Sequence, residues 1–255
     1  MVKRIRIVVA VALLIVAAVA GWQLWAYYHA IEEAEETFSQ LRIALPAASG
    51  TLAAKERDEE AYERPTVAAL QAINSDTIAW LIVEGTHIDY PIMSAPDRKE
   101  YYLRKDFYRN YSISGTPFMD ERCTLSSQQM ILYGHNMKSG TMFADLVKYK
   151  DAAYAEEHST VYLITEEKLR QYEVVAAFET IGRDEGTALF WYKDTEFTET
   201  SFSEFSRLLG QYSLLELPQD DPLTCDDHFL TLATCAYHTT DGRFVIVARE
   251  VEDTQ

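Results

Sequence analysis

Phe229-Leu-Thr-Leu-Ala-Thr-Cys235-Ala-Tyr-His-Thr-Thr-Asp241-Gly242-Arg243-Phe-Val-Ile-Val-Ala-Arg249 is the stretch that decides how this chain is built. Two apolar β-type runs, Phe229 to Thr234 and Phe244 to Ala248, flank a polar connection ending in Asp241-Gly242. Asp-Gly between alternating apolar segments is a strong short-range turn signal. The spacing predicts two neighbouring strands, with Cys235 leaving the first and Arg243 entering the second. Paired in this way, thiol and guanidinium share one end of a sheet. A cysteine beside a fixed cation has an environment that favours the thiolate. The plain alternative is a small apolar residue closing a strand, because free cysteine is usually buried.

Working back from this stretch, Thr198 to Tyr212 carries Phe202, Phe205, Leu208 and Leu209 at helical spacing, a helix inserted before the last two strands. Leu169 to Ile181, Thr160 to Thr165 and Gln129 to Tyr133 read as strands, and polar Gly182 to Thr195 as a long connection. Met142 to Tyr149 places Met142, Leu146 and Tyr149 on one helical face. Phe118 to Asp120 is a brief strand, and Glu100 to Phe107 a short amphipathic turn or helix. Ile78 to Val83 and Ile88 to Ile92 are strands joined through Glu84-Gly85-Thr86, with Pro91 keeping the second at an edge or a bulge. About seven or eight short strands do not alternate regularly with helices. The pattern favours a closed or nearly closed β-barrel decorated by helices over a doubly wound sheet.

The N-terminus has its own logic. Lys3, Arg4 and Arg6 precede an uncharged run from Ile7 to Tyr28, long enough to cross a bilayer as a helix. Trp22, Trp25, Tyr27 and Tyr28 gather at its far end, where amphipathic aromatics favour the interface. The basic residues place 1–6 in the cytoplasm and the rest outside, as a single-pass cell-membrane protein. A cleaved signal peptide with Ala18-Val-Ala20 as its site is the competing reading. The expected division is therefore an anchor at 7–28, a helical stalk and N-terminal helices at 29–72, and a β-barrel at 73–255. Within 29–72, His29 to Leu45 is a helix, Pro46 to Gly50 a bend, and Thr51 to Arg64 a charged solvated helix. Thr66 to Ile73 is a short helix packing through Val67, Leu70 and Ile73.

The chain carries a net charge of -17, and because the first acid is Glu32, every negative charge lies beyond the anchor while Lys3, Arg4 and Arg6 stay behind it. Such a surface suits solubility and repels nucleic acid, which is not an expected partner. Cys123, Cys225 and Cys235 leave at least one thiol unpaired, and a Cys123–Cys225 bridge is one arrangement open to them.

His135 follows the apolar strand Gln129 to Tyr133 and precedes a turn, in Leu132-Tyr-Gly-His-Asn136. A loop histidine of no chemical consequence is the ordinary alternative. Cysteine, histidine and arginine nevertheless suffice for acyl transfer: a thiolate attacks, an imidazole moves a proton, and a cation meets the oxyanion. No metal or cofactor is needed. There is no C-x-x-C, H-x-x-x-H or Gly-rich phosphate loop to suggest one.

Thr231-Leu-Ala-Thr-Cys235 resembles the TLxTC signature of sortases, the membrane-anchored cysteine transpeptidases of Gram-positive bacteria, and Leu132 to Asn136 resembles their histidine segment. Arg243 takes the place of their arginine before the last strand, with Arg249 as competitor. Asp89 to Ile92, Glu100 to Leu103, the helix Thr198 to Tyr212 and the N-terminal helices are similar to the class B branch. The likeness runs from about Ile73 to Glu250.

It implies a mainly β fold, an eight-stranded sortase barrel with N-terminal helices and one helix before the last two strands. His135, Cys235 and Arg243 would meet at a groove that Leu103 and Ala233 line. The implied reaction cleaves a C-terminal sorting signal, NPxTx-like, after its threonine through a thioester on Cys235. The implied partners are secreted surface proteins bearing the signal and a peptidoglycan-precursor or pilin amine. Ala233 and Ala236 depart from residues common in the family and bear on substrate preference. An endopeptidase that only hydrolyses, or an inactive tethered binding module, are the competing functions.

Overall fold

The computed structural model describes residues 2–44, 66–182, 190–237 and 239–251. The N-terminal run forms one continuous helix, α1 (Val2–Ala44), whose apolar window is long enough to cross a membrane and is not buried by the rest of the chain. Beyond that window Ile31, Ala34, Phe38 and Leu41 recur at helical spacing and are all buried. They dock α1 on the barrel. Phe38 meets Tyr90 edge-on at 5.2 Å, Tyr90 Oη donates to Glu35 Oε1 at 3.2 Å, and Arg42 Nη2 donates to the Asp89 carbonyl at 2.8 Å. The helix expected as a stalk is thus packed on the barrel. The sequence signal was present in that apolar stripe, but the neighbouring glutamates masked it.

The helix α2 (Val67–Ile73) starts at Thr66, whose hydroxyl accepts from the Ala69 N–H at 3.1 Å. Val67 and Leu70 are buried as expected, whereas Ile73 is 46% exposed. The last apolar position has turned past the contact line of so short a helix. Pro46 to Gly50, Thr51 to Arg64 and Pro65 lie outside the described residues.

The strands are β1 (Thr77–Val83), β2 (Asp89–Met93), β3 (Phe118–Met119), β4 (Gln129–Tyr133), β5 (Thr160–Ile164), β6 (Leu169–Ile181), β7 (Phe229–Cys235) and β8 (Gly242–Glu250). They close into a barrel in the order β1-β2-β3-β4-β7-β8-β6-β5. Most neighbours are antiparallel, but β2 pairs with β3 and β4 with β7 in parallel. The β4–β7 pair is nearly continuous apolar sequence because both of its faces are covered. Outside β7, Phe202 and Phe205 of the inserted helix stand 6.2 Å and 5.6 Å from the Phe229 ring.

Three other helices complete the fold: α3 (Ala152–Glu157), α4 (Phe190–Lys193) and α5 (Glu199–Tyr212). The first two were not expected. α3 is capped by Asp151, whose carboxylate accepts from the Ala153 N–H at 3.0 Å. α4 interrupts the connection read as polar, and it buries Phe190 and Trp191. The segment read as a helix from Met142 is a 3-10 helix, Ala144–Lys150, with Met142 at φ 58 just before it. A 3-10 turn at Tyr101–Arg104 fills part of the stretch expected to be a short amphipathic turn or helix. No Cys123–Cys225 bridge exists: both are free thiols, and each sulfur donates to a different backbone carbonyl, Gln129 at 3.5 Å and Phe197 at 4.0 Å.

Candidate active site

Three adjacent strands deliver the three side chains singled out in the sequence. β4 and β7 run in parallel with Tyr133 opposite Ala233. His135 and Cys235 each follow two residues later, so they emerge level with one another at the same end of the barrel. Cys235 in turn stands opposite Arg243 in the β7–β8 ladder. Two cross-ties lock the exits together. The Thr234 hydroxyl donates to the Gly134 carbonyl at 2.7 Å, and Asn136 Nδ2 donates to the Cys235 carbonyl at 2.8 Å. Gly134 has to be a glycine here, since a Cβ would sit 2.5 Å from the Phe143 ring.

The His135 Nε2 lies 2.8 Å from the Leu103 carbonyl oxygen. A carbonyl can only accept, so Nε2 carries the proton and Nδ1 is left as the free base. Burial lowers the imidazole pKa below its ordinary value; the bond to Leu103 opposes this, and the charge of Arg104 adds to it. The site therefore rests with a neutral histidine. Leu103 is itself held from behind. Tyr102 Oη donates to Asp76 Oδ2 at 2.7 Å and accepts from Asn74 Nδ2 at 2.9 Å. Beneath it Gly115, at φ +62, brings its α-carbon so close that a Cβ would lie 2.6 Å from the Leu103 oxygen.

Arg243 does not reach freely into the groove. Its Nη1 forms an ion pair with Asp241 Oδ1 at 2.8 Å and also donates to the Gly242 carbonyl at 3.1 Å. Gly182 makes room for the pair, because a Cβ there would come within 2.8 Å of the Arg243 Cζ. Arg249 stands at the opposite end of β8, paired with Asp221 at 2.6 Å.

A groove of about 580 Å³ runs over these exits, and Leu103, Tyr133, His135, Ala233, Cys235 and Arg243 all line it. The five residues singled out from sequence thus share one cavity. Its floor holds residues that no motif announced. Asp120, almost wholly buried, accepts from Tyr133 Oη and from Arg122 Nε, both at 2.8 Å, and the Arg122 guanidinium lies 3.7 Å from the Tyr192 ring centroid. Burial pushes the Tyr133 phenol far up, so it stays a neutral donor. The Asp120 and Arg122 pairing is set by a turn between two strands, which periodicity does not encode. Cys123 lies buried away from the groove, its thiol pushed up by burial to about 11. Among the described residues no group of three or more His, Cys, Asp or Glu could hold a metal ion.

A closed eight-stranded barrel with these residues around one groove has counterparts among known proteins. The family model for the sortase domain matches residues 81–251. Sortase B of Listeria monocytogenes is 36% identical over 189 residues, covering 71% of this chain and 72% of that protein. The crystal structure of sortase B from B. anthracis in complex with AAEK1 superposes with a TM-score of 0.70 at 27% identity, covering 88% of this chain and 99% of that one. The Staphylococcus aureus sortase B–substrate complex gives 0.65 at 29%, covering 74% and 85%. The chain belongs to the sortase family, whose members are cysteine transpeptidases. Within that family its likeness is to the class B enzymes, and it carries the eight-stranded sortase barrel with its flanking helices.

Proposed function

We propose that the protein cleaves a C-terminal sorting signal of the NPxTx kind after its threonine and passes the acyl group to a cell-wall or pilin amine. Cys235 is the nucleophile. His135 takes the thiol proton, the sulfur attacks the threonine carbonyl, the oxyanion is met by Arg243, and the imidazolium hands that proton to the leaving amine as the C–N bond breaks. A thioester remains, and the incoming amine breaks it while giving its proton back through the imidazole. Leu103 and Ala233 form walls of the peptide groove. The observation that supports this reading is the level exit of β4 and β7, which brings His135 and Cys235 out at one end of the barrel with the Arg243 backbone opposite Cys235.

For Arg243 to meet an oxyanion, its guanidinium has to leave Asp241. The strand pairing keeps its backbone opposite Cys235, so only the torsions of this half-buried side chain need change. The helix α1 anchors the enzyme as a single span with residues 1–6 in the cytoplasm and the barrel outside, the anchor being retained rather than cleaved. The partners are secreted surface proteins with the signal, and the acidic barrel has no nucleic-acid role.

The test incubates the full chain with quenched NPxTx and LPxTG-type peptides, with and without an amine, and follows Cys235 by mass spectrometry. An acyl adduct that moves to the amine and is lost in Cys235→Ala supports the proposal. Release of acid alone in the presence of amine makes the enzyme a hydrolase. An inert thiol with no adduct overturns the enzymatic roles given to these residues.

A further inference from the structure

The anchor and the groove are coupled by a short chain of contacts. The uncharged run of α1 ends at Tyr28, and Glu35 follows it by seven residues, about 10 Å of helix rise. Tyr90 Oη donates to Glu35 at 3.2 Å and accepts the Met142 N–H at 3.1 Å. Met142 is bridged to Asn136, whose side chain holds the Cys235 carbonyl at 2.8 Å. With Ile31, Ala34, Phe38 and Leu41 buried on the barrel, these contacts fix how the barrel stands on its anchor. The exits of β4 and β7, and hence the groove mouth, lie beside the first turns of α1 beyond the apolar run.

Three of the four exposed tyrosines among the described barrel residues neighbour α1. Tyr237, two residues past Cys235, is 70% exposed, and its hydroxyl donates to the Asn136 carbonyl at 3.0 Å. Its phenol is pushed up by desolvation, then by Cys235 and by Tyr27 of the aromatic end of the apolar run. Tyr108 and Tyr111 are exposed on a loop that faces Ala30, Glu33 and Thr37 of α1 across a cavity of about 450 Å³. The fourth exposed tyrosine among the described barrel residues, Tyr212, ends α5 instead.

We propose that the face carrying Tyr237, Tyr108 and Tyr111 is a membrane-docking surface that rests in the phospholipid headgroup layer and holds the groove mouth at the bilayer interface. The inference rests on the reading of α1 as a retained anchor. Tyrosine suits this layer because its ring is apolar and its hydroxyl is wet. The interfacial region adds only about 5–7 Å to each side of the hydrocarbon core, within reach of side chains that stand next to the helix exit. The surplus of acids gives the barrel no electrostatic hold on anionic lipid, so the contact is made by rings and withstands salt. Peptide and amine would then reach Cys235 along the membrane plane.

The experiment uses the full chain in vesicles of phosphatidylethanolamine and phosphatidylglycerol. The photo-crosslinking residue p-benzoylphenylalanine replaces Tyr237, Tyr212 or Leu14 in turn, and adducts are read by mass spectrometry. Phospholipid adducts at 237 and 14, with at least about tenfold less at 212, are expected because position 212 meets water. Lipid at 14 with none at 237, or equal lipid at 237 and 212, overturns the docking surface while the anchor stands. Adducts at 237 to a second copy of the chain likewise overturn it. No lipid at 14 removes the anchor and the docking surface together, and none of these outcomes bears on transpeptidation itself.

Discussion

Arg243 stands opposite Cys235 in the β7–β8 ladder, yet its guanidinium is paired at 2.8 Å with Asp241, two residues before it in the same turn. Removing an oxyanion donor from such a site costs about 10²–10³ in kcat. Arg243→Ala is expected to lower kcat for peptide cleavage by that factor, with KM little changed. Arg249→Ala, at the far end of β8, leaves kcat intact. Loss of turnover in Arg249→Ala with Arg243→Ala unaffected would reverse the assignment. Gly182→Ala, which pushes a methyl group against the Arg243 guanidinium, is expected to lower kcat without unfolding the barrel.

The buried, neutral imidazole of His135 gives a titration prediction. Its pKa lies below the ordinary value because of burial and the Arg104 charge. Arg104→Gln is expected to raise it, read from the His135 ring protons by NMR across pH. The effect on stability has a definite sign. The unfolded chain holds this proton more tightly, so the contribution is complete above about pH 6.5 and is lost as pH falls through the folded value. His135→Gln flattens that part of the stability profile.

The turn that carries Leu103 hangs on Tyr102. Tyr102→Phe keeps the ring but leaves Asn74 and Asp76 without their shared hydroxyl. Breaking such buried bonds costs about 1–3 kcal/mol. Thermal unfolding should report the loss, and the His135 titration should move with it, because the Leu103 carbonyl is then less firmly placed. A destabilised variant whose His135 titrates unchanged would confine Tyr102 to a structural part.

Phe38 of α1 is completely buried against Tyr90. Phe38→Ala is expected to destabilise the docked helix and barrel by about 3–5 kcal/mol. Denaturant unfolding of the full chain in detergent measures it. No change would mean that the helix packs on the barrel only loosely.

Much of this was legible in the residues themselves. Asp241-Gly242 between two apolar runs determined the last hairpin, and the run to Tyr28 determined one long apolar helix, because turn chemistry and hydrophobic length act locally. The signature at Thr231 to Cys235, with His135 and Arg243, named the family. What only the tertiary structure decided depends on partners distant in sequence. Parallel pairing of β4 with β7 brings His135 level with Cys235, and a parallel register is not written in either strand alone. Closure of the barrel placed the Leu103 carbonyl against the imidazole and Asp120 in the groove floor. The docking of α1 through Ile31, Ala34, Phe38 and Leu41 turned an expected stalk into part of the core, since an apolar stripe acquires its meaning from the surface that covers it.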